Sequence, residues 1–474
     1  MKVVKKDVFW NFFATLLKTA SSVVLLPLIL KKLPIEDVGI WTVFVSMGAV
    51  VTMLDMGYGP SFARNITFIF SGVKNLAKEG VNNELHDEEV DYSLLKSTLS
   101  ALRFFYFRLS IIVFFSLAIG GTYYLTYILQ KYSGDHIQVY LAWAVFVLQN
   151  SYMMYTDYYE SLMIGKGLIS IVKKITIFAQ LSYLTLASIL LLNGFGLIGL
   201  FSSQIISILI IRKLSIKYFF DDTLVKKLNL VNTKIDSLNI IRTLFPNAIK
   251  SGISSLGSLF INRAPIMIGS FYLTLEQIAT FGLTKQIFDI MYIIASIYSI
   301  TYFPQLSNNW IKNKLFDNKV IYVKCILVSL FIYVSMCFCL ILFANPILEY
   351  LGSKTLLLSG LPLSIIIINY FFTLIHGQSV PIILSKNYLP LYYVGFIGGS
   401  FVILISYILL HFFKLGIYGI IIPPTIVYLS YENWKWPQMA FNFLKLSIKD
   451  FLSISYIILK GILNNIVLKK ISRT

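Results

Sequence analysis

The sequence predicts an all-α polytopic membrane protein of about twelve transmembrane helices in two six-helix lobes. Three observations predict it. Only 13% of the 474 residues are charged and 57% are hydrophobic, with a mean hydropathy of +0.76; a soluble domain carries about 25% charged residues. Apolar runs of about eighteen residues or more recur along the whole chain, each long enough to cross a ~30 Å hydrocarbon core as a helix. A membrane barrel would instead show alternating segments of about ten residues. The third observation is an internal echo. Leu33-Pro34-Ile35-Glu36-Asp37-Val38-Gly39-Ile40-Trp41 returns as Leu273-Thr274-Leu275-Glu276-Gln277-Ile278-Ala279-Thr280-Phe281, with Leu33 matching Leu273, Glu36 Glu276, Val38 Ile278 and Trp41 Phe281. Both stretches are short polar turns between long apolar runs.

In chain order the predicted spans are 8–30, 38–60, 105–128, 138–158, 174–193, 196–212, 246–271, 277–304, 320–344, 358–384, 390–411 and 416–431. Lys2, Lys5 and Lys6 precede the first run as they would in a signal peptide, but the run continues to about Leu30, too long for an h-region, and reads as an uncleaved span. Net charge is +18. Its placement argues against nucleic acid as the partner: an N-terminus in the cytoplasm puts 31 Lys and Arg on the cytoplasmic side and 5 on the other, the bias that sets membrane topology. The connection from Arg64 to Arg103 is long and of mixed charge, and short surface helices are expected there. Segment 213–245 is the linker between halves. Gly196-Leu197-Ile198-Gly199 joins spans five and six, and Gly416-Ile417-Tyr418-Gly419 joins spans eleven and twelve. Each half has an even number of spans, so the repeat is parallel, about an axis along the membrane normal. The lobes are then 1–225 and 226–431, followed by a cytoplasmic or interfacial tail, 432–474. Lys460, Asn464 and Asn465 interrupt the apolar run 451–468, which favours an interfacial amphipathic helix over a thirteenth span.

Most catalytic and metal signatures are missing. Cys325, Cys337 and Cys339 share one apolar run and give neither a disulfide framework nor metal spacing. The four histidines, His86, His136, His376 and His411, form no triad or metal pattern, and no cofactor is expected. Gly194-Phe195-Gly196-Leu197-Ile198-Gly199 fits G-x-G-x-x-G, but it lacks the preceding strand and the acid about 20 residues on that a dinucleotide site needs. It reads as an inter-helix turn. Without a Walker loop the chain cannot drive transport by its own ATP hydrolysis.

Charges inside spans are costly and usually face a bundle interior or an aqueous cavity. Lys18 lies in span one, Arg263 in span seven, and Lys285 and Asp289 in span eight, four apart and so on one helical face. Lys285 and Asp289 read equally as a structural pair and as a switchable one. Lys18 and Arg263 have no acid within helical reach, which favours a cavity-facing role. Three cations against one acid point to an anionic ligand, and the Arg fork suits phosphate. Asp55, followed by Gly57, Gly59 and Arg64, reads as a helix-end cap or, with Arg64, as a gate; the cap is the heavier reading. Asp157 and Glu160 end span four close to Lys166.

Residues 27–41, with Pro27-Leu28-Ile29-Leu30 before the first polar turn, Leu54-Asp55-Met56-Gly57-Tyr58-Gly59 after span two, and Phe303-Pro304-Gln305-Leu306-Ser307 after span eight resemble segments of the polysaccharide biosynthesis flippases. These are the O-antigen-unit transporters of the MOP superfamily. The resemblance covers nearly the whole chain. It implies a MATE-like fold in which spans one, two, seven and eight line a central cleft, and a substrate of undecaprenyl-diphosphate-linked oligosaccharide moved to the outer leaflet of the bacterial inner membrane. Arg263, Lys18 and Lys285 would meet the diphosphate, and Asp289, Asp55 and Arg64 would couple or gate. Three energy sources stay open, a proton (H+) gradient, a sodium (Na+) gradient or downhill flow pulled by polymerisation, and the polymerase and chain-length proteins of the pathway are the expected partners. A multidrug exporter or a lipid II flippase of the superfamily is the alternative. A glycosyltransferase of the pathway is more remote, because such enzymes usually expose a large outer loop.

Overall fold

The computed structural model describes residues 10, 17, 24–55, 58–70, 72, 90–231, 237–311, 314–384 and 391–471. Among them every regular element is helical. The chain divides into two compact units, Met1–Ala279 with Leu351–Thr355, and Thr280–Tyr350 with Leu356–Thr474.

In the first unit a helical segment at 24–32 leads to Pro34, which caps α1 (Ile35–Met53). Glu36 and Asp37 fall in its first turn, where the positive helix end favours acids. Its inner face buries Val38, Ile40, Val43, Phe44 and Met47. The helix stops at Met53 instead of running to 60. The chain resumes as α2 (Tyr58–Phe70), so Arg64 stands inside a helix and not in a loop.

Asp91 caps α3 (Tyr92–Phe115) by accepting the N–H groups of Ser93 and Leu94. That helix passes through a π-helical stretch, Ser116–Gly121, into α4 (Thr122–Leu129), so Lys96 and Arg103 lie on a long helix and not in the expected surface loop. Next come α5 (His136–Thr156), α6 (Tyr158–Gly165), α7 (Ile169–Leu192), α8 (Gly196–Phe219) and α9 (Asp222–Asn229). Phe44 of α1 meets Trp143 and Phe146 of α5 and Phe201 of α8, with ring centroids 5.0, 5.1 and 5.5 Å away. The seventh predicted span is broken into α10 (Ser237–Asn262) and α11 (Ala264–Tyr272).

The second unit holds most of α12 (Leu275–Ile311), then α13 (Leu315–Tyr350), α14 (Gly360–Leu384), α15 (Leu391–His411), α16 (Tyr418–Val427), α17 (Asn433–Leu444) and α18 (Ile448–Ile471). The twelfth span does not end at 431: a π turn, Tyr428–Glu432, carries α16 directly into α17. The tail is part of this unit's core, in which Ala440, Leu444, Leu446 and Ile454 pack with Leu306, Tyr322, Cys325, Ile326 and Ile382. Ser447 and Asp450 form a capping box on α18, and Lys319 lies 3.5 Å from Asp450. The Ser447 backbone N–H and hydroxyl and the nearby Lys319 ammonium hold the Asp450 carboxyl below the usual carboxylate range. This contribution is present above the ordinary range of a free carboxylate and is lost as pH falls.

Each G-x-x-G sequence stands where a tight turn opens the next helix. Gly194 and Gly196 have φ of +83° and +51°, and Lys414 and Gly416 have φ of 48° and 56°. Gly199 packs on Leu190 as Gly419 packs on Leu410, at the same spacing in sequence. Eight described helices are long and apolar enough to cross a membrane: Ile35–Thr52, Tyr92–Leu129, Ile169–Leu192, Gly196–Phe219, Leu275–Ser299, Leu315–Tyr350, Gly360–Ile383 and Tyr393–His411. The protein is a multi-pass membrane protein.

Candidate functional site

Two features of the first unit place charged residues where the helices break. At the foot of α1, Asp55 accepts the Tyr106 hydroxyl on Oδ1 and the Gly59 N–H, 3.0 Å away, on Oδ2. Ser161 of α6 in turn donates to the Gly59 carbonyl at 2.9 Å. Asp55 therefore caps α2, the helix that carries Arg64. The second break lies at Arg263. Its φ and ψ of −120° and −34° leave the α-helical well between α10 and α11. Pro265, at the start of α11, has no N–H to give the Ile261 carbonyl, and its fixed φ suits a first helical turn. The Arg263 carbonyl accepts from Ile266 and Met267 instead, at 3.2 and 3.3 Å. The side chain is half-buried.

The echoed turns meet in this unit. A Cβ on Gly39 would stand 2.3 Å from the carbonyl oxygen of Leu275. Around them, Glu36 accepts the Ser133 N–H and hydroxyl at 2.8 and 2.9 Å, and the Tyr132 hydroxyl donates to Asp37. Thr274 and Gln277 form a reciprocal cap, at 3.1 and 3.2 Å, on the start of α12. Lys131 donates to the carbonyls of Phe271 and Leu273 at 2.7 and 3.3 Å. At the other end, Lys166 pairs with Asp221 at 2.6 Å, not with Asp157 or Glu160, and Glu160 lies 3.6 Å from Lys173. The Lys166 side chain, the Thr223 hydroxyl and the Leu224 N–H hold the exposed Asp221 carboxyl well below its ordinary range.

The second unit brings together Lys285, Asp289 and a residue the sequence did not single out, Tyr370. Lys285 Nζ is 3.2 Å from Asp289 Oδ1 and 3.1 Å from Tyr370 Oη, and the Tyr370 hydroxyl donates to the same carboxylate oxygen at 2.5 Å. The α14 backbone fixes the ring, which lies against the fully buried Phe288, centroids 5.2 Å apart. Phe288 also faces Tyr333 of α13, whose hydroxyl donates to the Ile367 carbonyl at 2.8 Å. The Lys285 side chain is 12% exposed and that of Asp289 35%. An anion approaching Lys285 must therefore compete with a carboxylate already in place. Tyr370→Phe removes the hydroxyl bridge and is expected to destabilise the unit by about 1–2 kcal/mol, the range for a partly exposed hydrogen bond to a charged group. The check is a lowered thermal midpoint of the solubilised protein, with a smaller loss when Tyr370→Phe is made in an Asp289→Asn background.

Lys18 lies outside the described residues, and the Arg64 side chain does also. Among the described residues no group of three His, Cys, Asp or Glu could hold a metal ion.

No protein-family model matches this sequence, and none of the curated proteins matches it. Solved structures do match. An inward-facing multidrug resistance MATE family transporter of the MOP superfamily aligns over 93% of this chain and 96% of its own, with a TM-score of 0.64 at 14% identity. The lipid II flippase MurJ, in an inward closed conformation, aligns over 95% of this chain and 90% of its own, with a TM-score of 0.60 at 13% identity. The MATE multidrug transporter DinF-BH aligns over 94% of this chain and 95% of its own, with a TM-score of 0.56 at 14% identity. The chain has the MOP transporter fold. At such identities the likeness establishes architecture and leaves substrate to the residues. In this fold, the break at Arg263 between α10 and α11 and the Lys285–Asp289–Tyr370 cluster on α12 and α14 are two of the charged features of the described helices.

Proposed function

We propose that the protein is a flippase that moves undecaprenyl-diphosphate-linked oligosaccharide units, of O-antigen or capsule type, from the cytoplasmic to the outer leaflet of the inner membrane by alternating access. The observation that carries the reading is Arg263 at the break between α10 and the short apolar helix α11. A permanently charged, planar fork at membrane depth suits a diphosphate and disfavours the cationic drugs a multidrug exporter takes. The proposal includes twelve spans in two lobes, 1–225 and 226–431, both termini in the cytoplasm, and an energy source in an H+ gradient, an Na+ gradient or downhill flow pulled by polymerisation. Lys18 joins Arg263 at the diphosphate. Lys285 is the third proposed contact of the diphosphate, and Asp289, Asp55 and Arg64 are the proposed coupling or gating residues. The polymerase and chain-length proteins of the pathway are its proposed partners.

The test is a strain lacking the gene, assayed together for surface polysaccharide and for lipid-linked units. Polymer lost while intact lipid-linked units accumulate on the cytoplasmic side is the expected result. Unchanged polymer with new sensitivity to cationic dyes would overturn the reading in favour of drug export. Truncated units would point to a glycosyltransferase. A lipid II flippase is the second reading, favoured by the fold shared with MurJ; it predicts arrested cell-wall synthesis with surface polysaccharide chemistry intact.

A further inference from the structure

The second unit contains another buried polar cluster, which none of the roles above uses. Asn369, Thr373 and His376 are spaced four and three apart on α14 and so share one face. The π turn Tyr428–Glu432 and the first residue of α17, Asn433, come against α14. His376 Nε2 lies 3.6 Å from Glu432 Oε2. The Asn433 side chain stands beside the imidazole, and Trp436 stands beside Glu432. Glu432 and Asn433 are only 9% and 7% exposed, while their neighbours Tyr431 and Trp434 are 36% and 50% exposed. The extra residue in a π turn shifts the helical register, and here the wider turn ends on the acid that faces inward; such turns are frequent at functional sites.

The cluster is incomplete as a packed core. Asn369 Oδ1, Thr373 Oγ1, His376 Nδ1 and both amide atoms of Asn433 are buried without a hydrogen-bond partner among the described residues. Each such group is costly when left unmatched, so this concentration along one helix face needs a reason.

We propose that His376 and Glu432 form a proton-binding pair, with Asn433 as its adaptable partner. The argument is one of charge. Without a proton the pair carries one negative charge. With one proton it is neutral overall, either as acid and imidazole or as carboxylate and imidazolium. With two it is positive. A net charge buried away from water is strongly disfavoured, so the buried pair holds one proton and releases it only when water reaches it. Asn433 offers an N–H₂ donor to the carboxylate form and a carbonyl acceptor to the protonated form, which is the versatility a changing pair needs. Neither member has another charged partner among the described residues. Among the other titratable groups on the packed elements, the Tyr333 hydroxyl of α13 donates to the Ile367 carbonyl at 2.8 Å. Tyr428 faces the imidazole, with centroids 6.1 Å apart, and Tyr431 is turned outward on the same π turn. Lys435 reaches Gln438 at 3.4 Å and lies over Trp434. Tyr292 meets α14 at Gly377, Tyr322 at Ser379, and Lys285 and Asp289 at Tyr370.

That this proton crosses the membrane rests on the transporter reading; that the site binds it does not. The experiment is pH-difference infrared spectroscopy of the purified full-length protein in sodium-free buffer, following the carbonyl band of a protonated carboxyl group. The expected result is a titrating band that Glu432→Gln removes and whose midpoint His376→Gln moves by about one pH unit or more, the scale of one lost charge–charge or hydrogen-bonding partner. A band that survives in Glu432→Gln, or a midpoint unmoved in His376→Gln, overturns the proposal. So does a band that sodium chloride abolishes at fixed pH where choline chloride does not, since that identifies a metal-cation site instead. Where Glu432→Gln gives no monodisperse protein, His376→Gln alone decides. A failed knockout phenotype with an intact titration would leave the proton site standing and remove the flippase, so the two failures are distinguishable.

Discussion

Arg263→Ala is expected to cut export of lipid-linked units by about tenfold to a hundredfold while the protein inserts at its normal level. The expectation follows from where the residue stands. Its backbone lies outside the α-helical well, between α10 and α11, so the side chain leaves the axis at a point where the helix is interrupted. The helix that starts there, Ala264–Tyr272, adds the partial positive charge of its N-terminus to the guanidinium. Both fields favour an anion. One bidentate, charge-assisted contact to a phosphate contributes about 1.5–3 kcal/mol, so its loss should lower transport by about tenfold to a hundredfold. Arg263→Lys keeps the charge and loses the fork, and should fall between the two. A residue that merely held the break would behave differently: the alanine variant would then lose thermal stability and yield, and lysine would not rescue transport better than stability. Normal export from a well-inserted alanine variant would remove Arg263 from the mechanism.

The parts of this architecture legible in the sequence are those that depend on local chemistry. Apolar runs longer than any soluble core needs announce membrane helices, and Gly194, Gly196 and Gly416 announce their turns because each adopts a positive φ within a few residues of a helix end. Lys285 and Asp289 were readable as neighbours because one helical turn separates them. What the sequence concealed lies across long stretches of chain. Tyr370 reaches Asp289 from 81 positions away, and Tyr106 reaches Asp55 from 51. No periodicity encodes either contact. The carboxyl of Asp55 had a signal for its capping role, Gly59 four residues on, but none for the tyrosine. His376 formed no triad or metal pattern in the sequence, and Glu432 was not singled out, because a π turn in the twelfth predicted span brings the acid inward, and hydropathy is blind to a one-residue change of register. The interruption at Arg263 was hidden for a similar reason: Pro265 is tolerated in many membrane helices, so its presence alone did not locate a break.

Gly39→Val should prevent the first unit from reaching its packed state. Gly39 lies in the first of the two echoed turns, between the fully buried Val38 and Ile40, and its missing side chain is what lets the second turn approach. A Cβ there would fall 2.3 Å from Leu275 O, 2.9 Å from Leu275 C and 3.1 Å from Leu275 Cβ. The obstacle is backbone, and it cannot rotate aside. Nor can it easily translate, because the Thr274–Gln277 cap fixes the chain on one side of Leu275 and the contacts of Lys131 with Phe271 and Leu273 fix it on the other. Alanine alone should cost about 1–3 kcal/mol by overpacking, and the two further carbons of valine more. Gly120→Ala is the matched control, since a Cβ at Gly120 meets nothing within 4 Å. The measurement is fluorescence-detected size exclusion of tagged full-length variants in mild detergent. Gly120→Ala should give the wild-type monodisperse peak, Gly39→Ala a peak with a lowered thermal midpoint, and Gly39→Val aggregate. A monodisperse Gly39→Val of wild-type stability would show that the two turns do not pack as closely as described, and that the echo between residues 33–41 and 273–281 reflects descent from a common repeat without a contact that needs glycine.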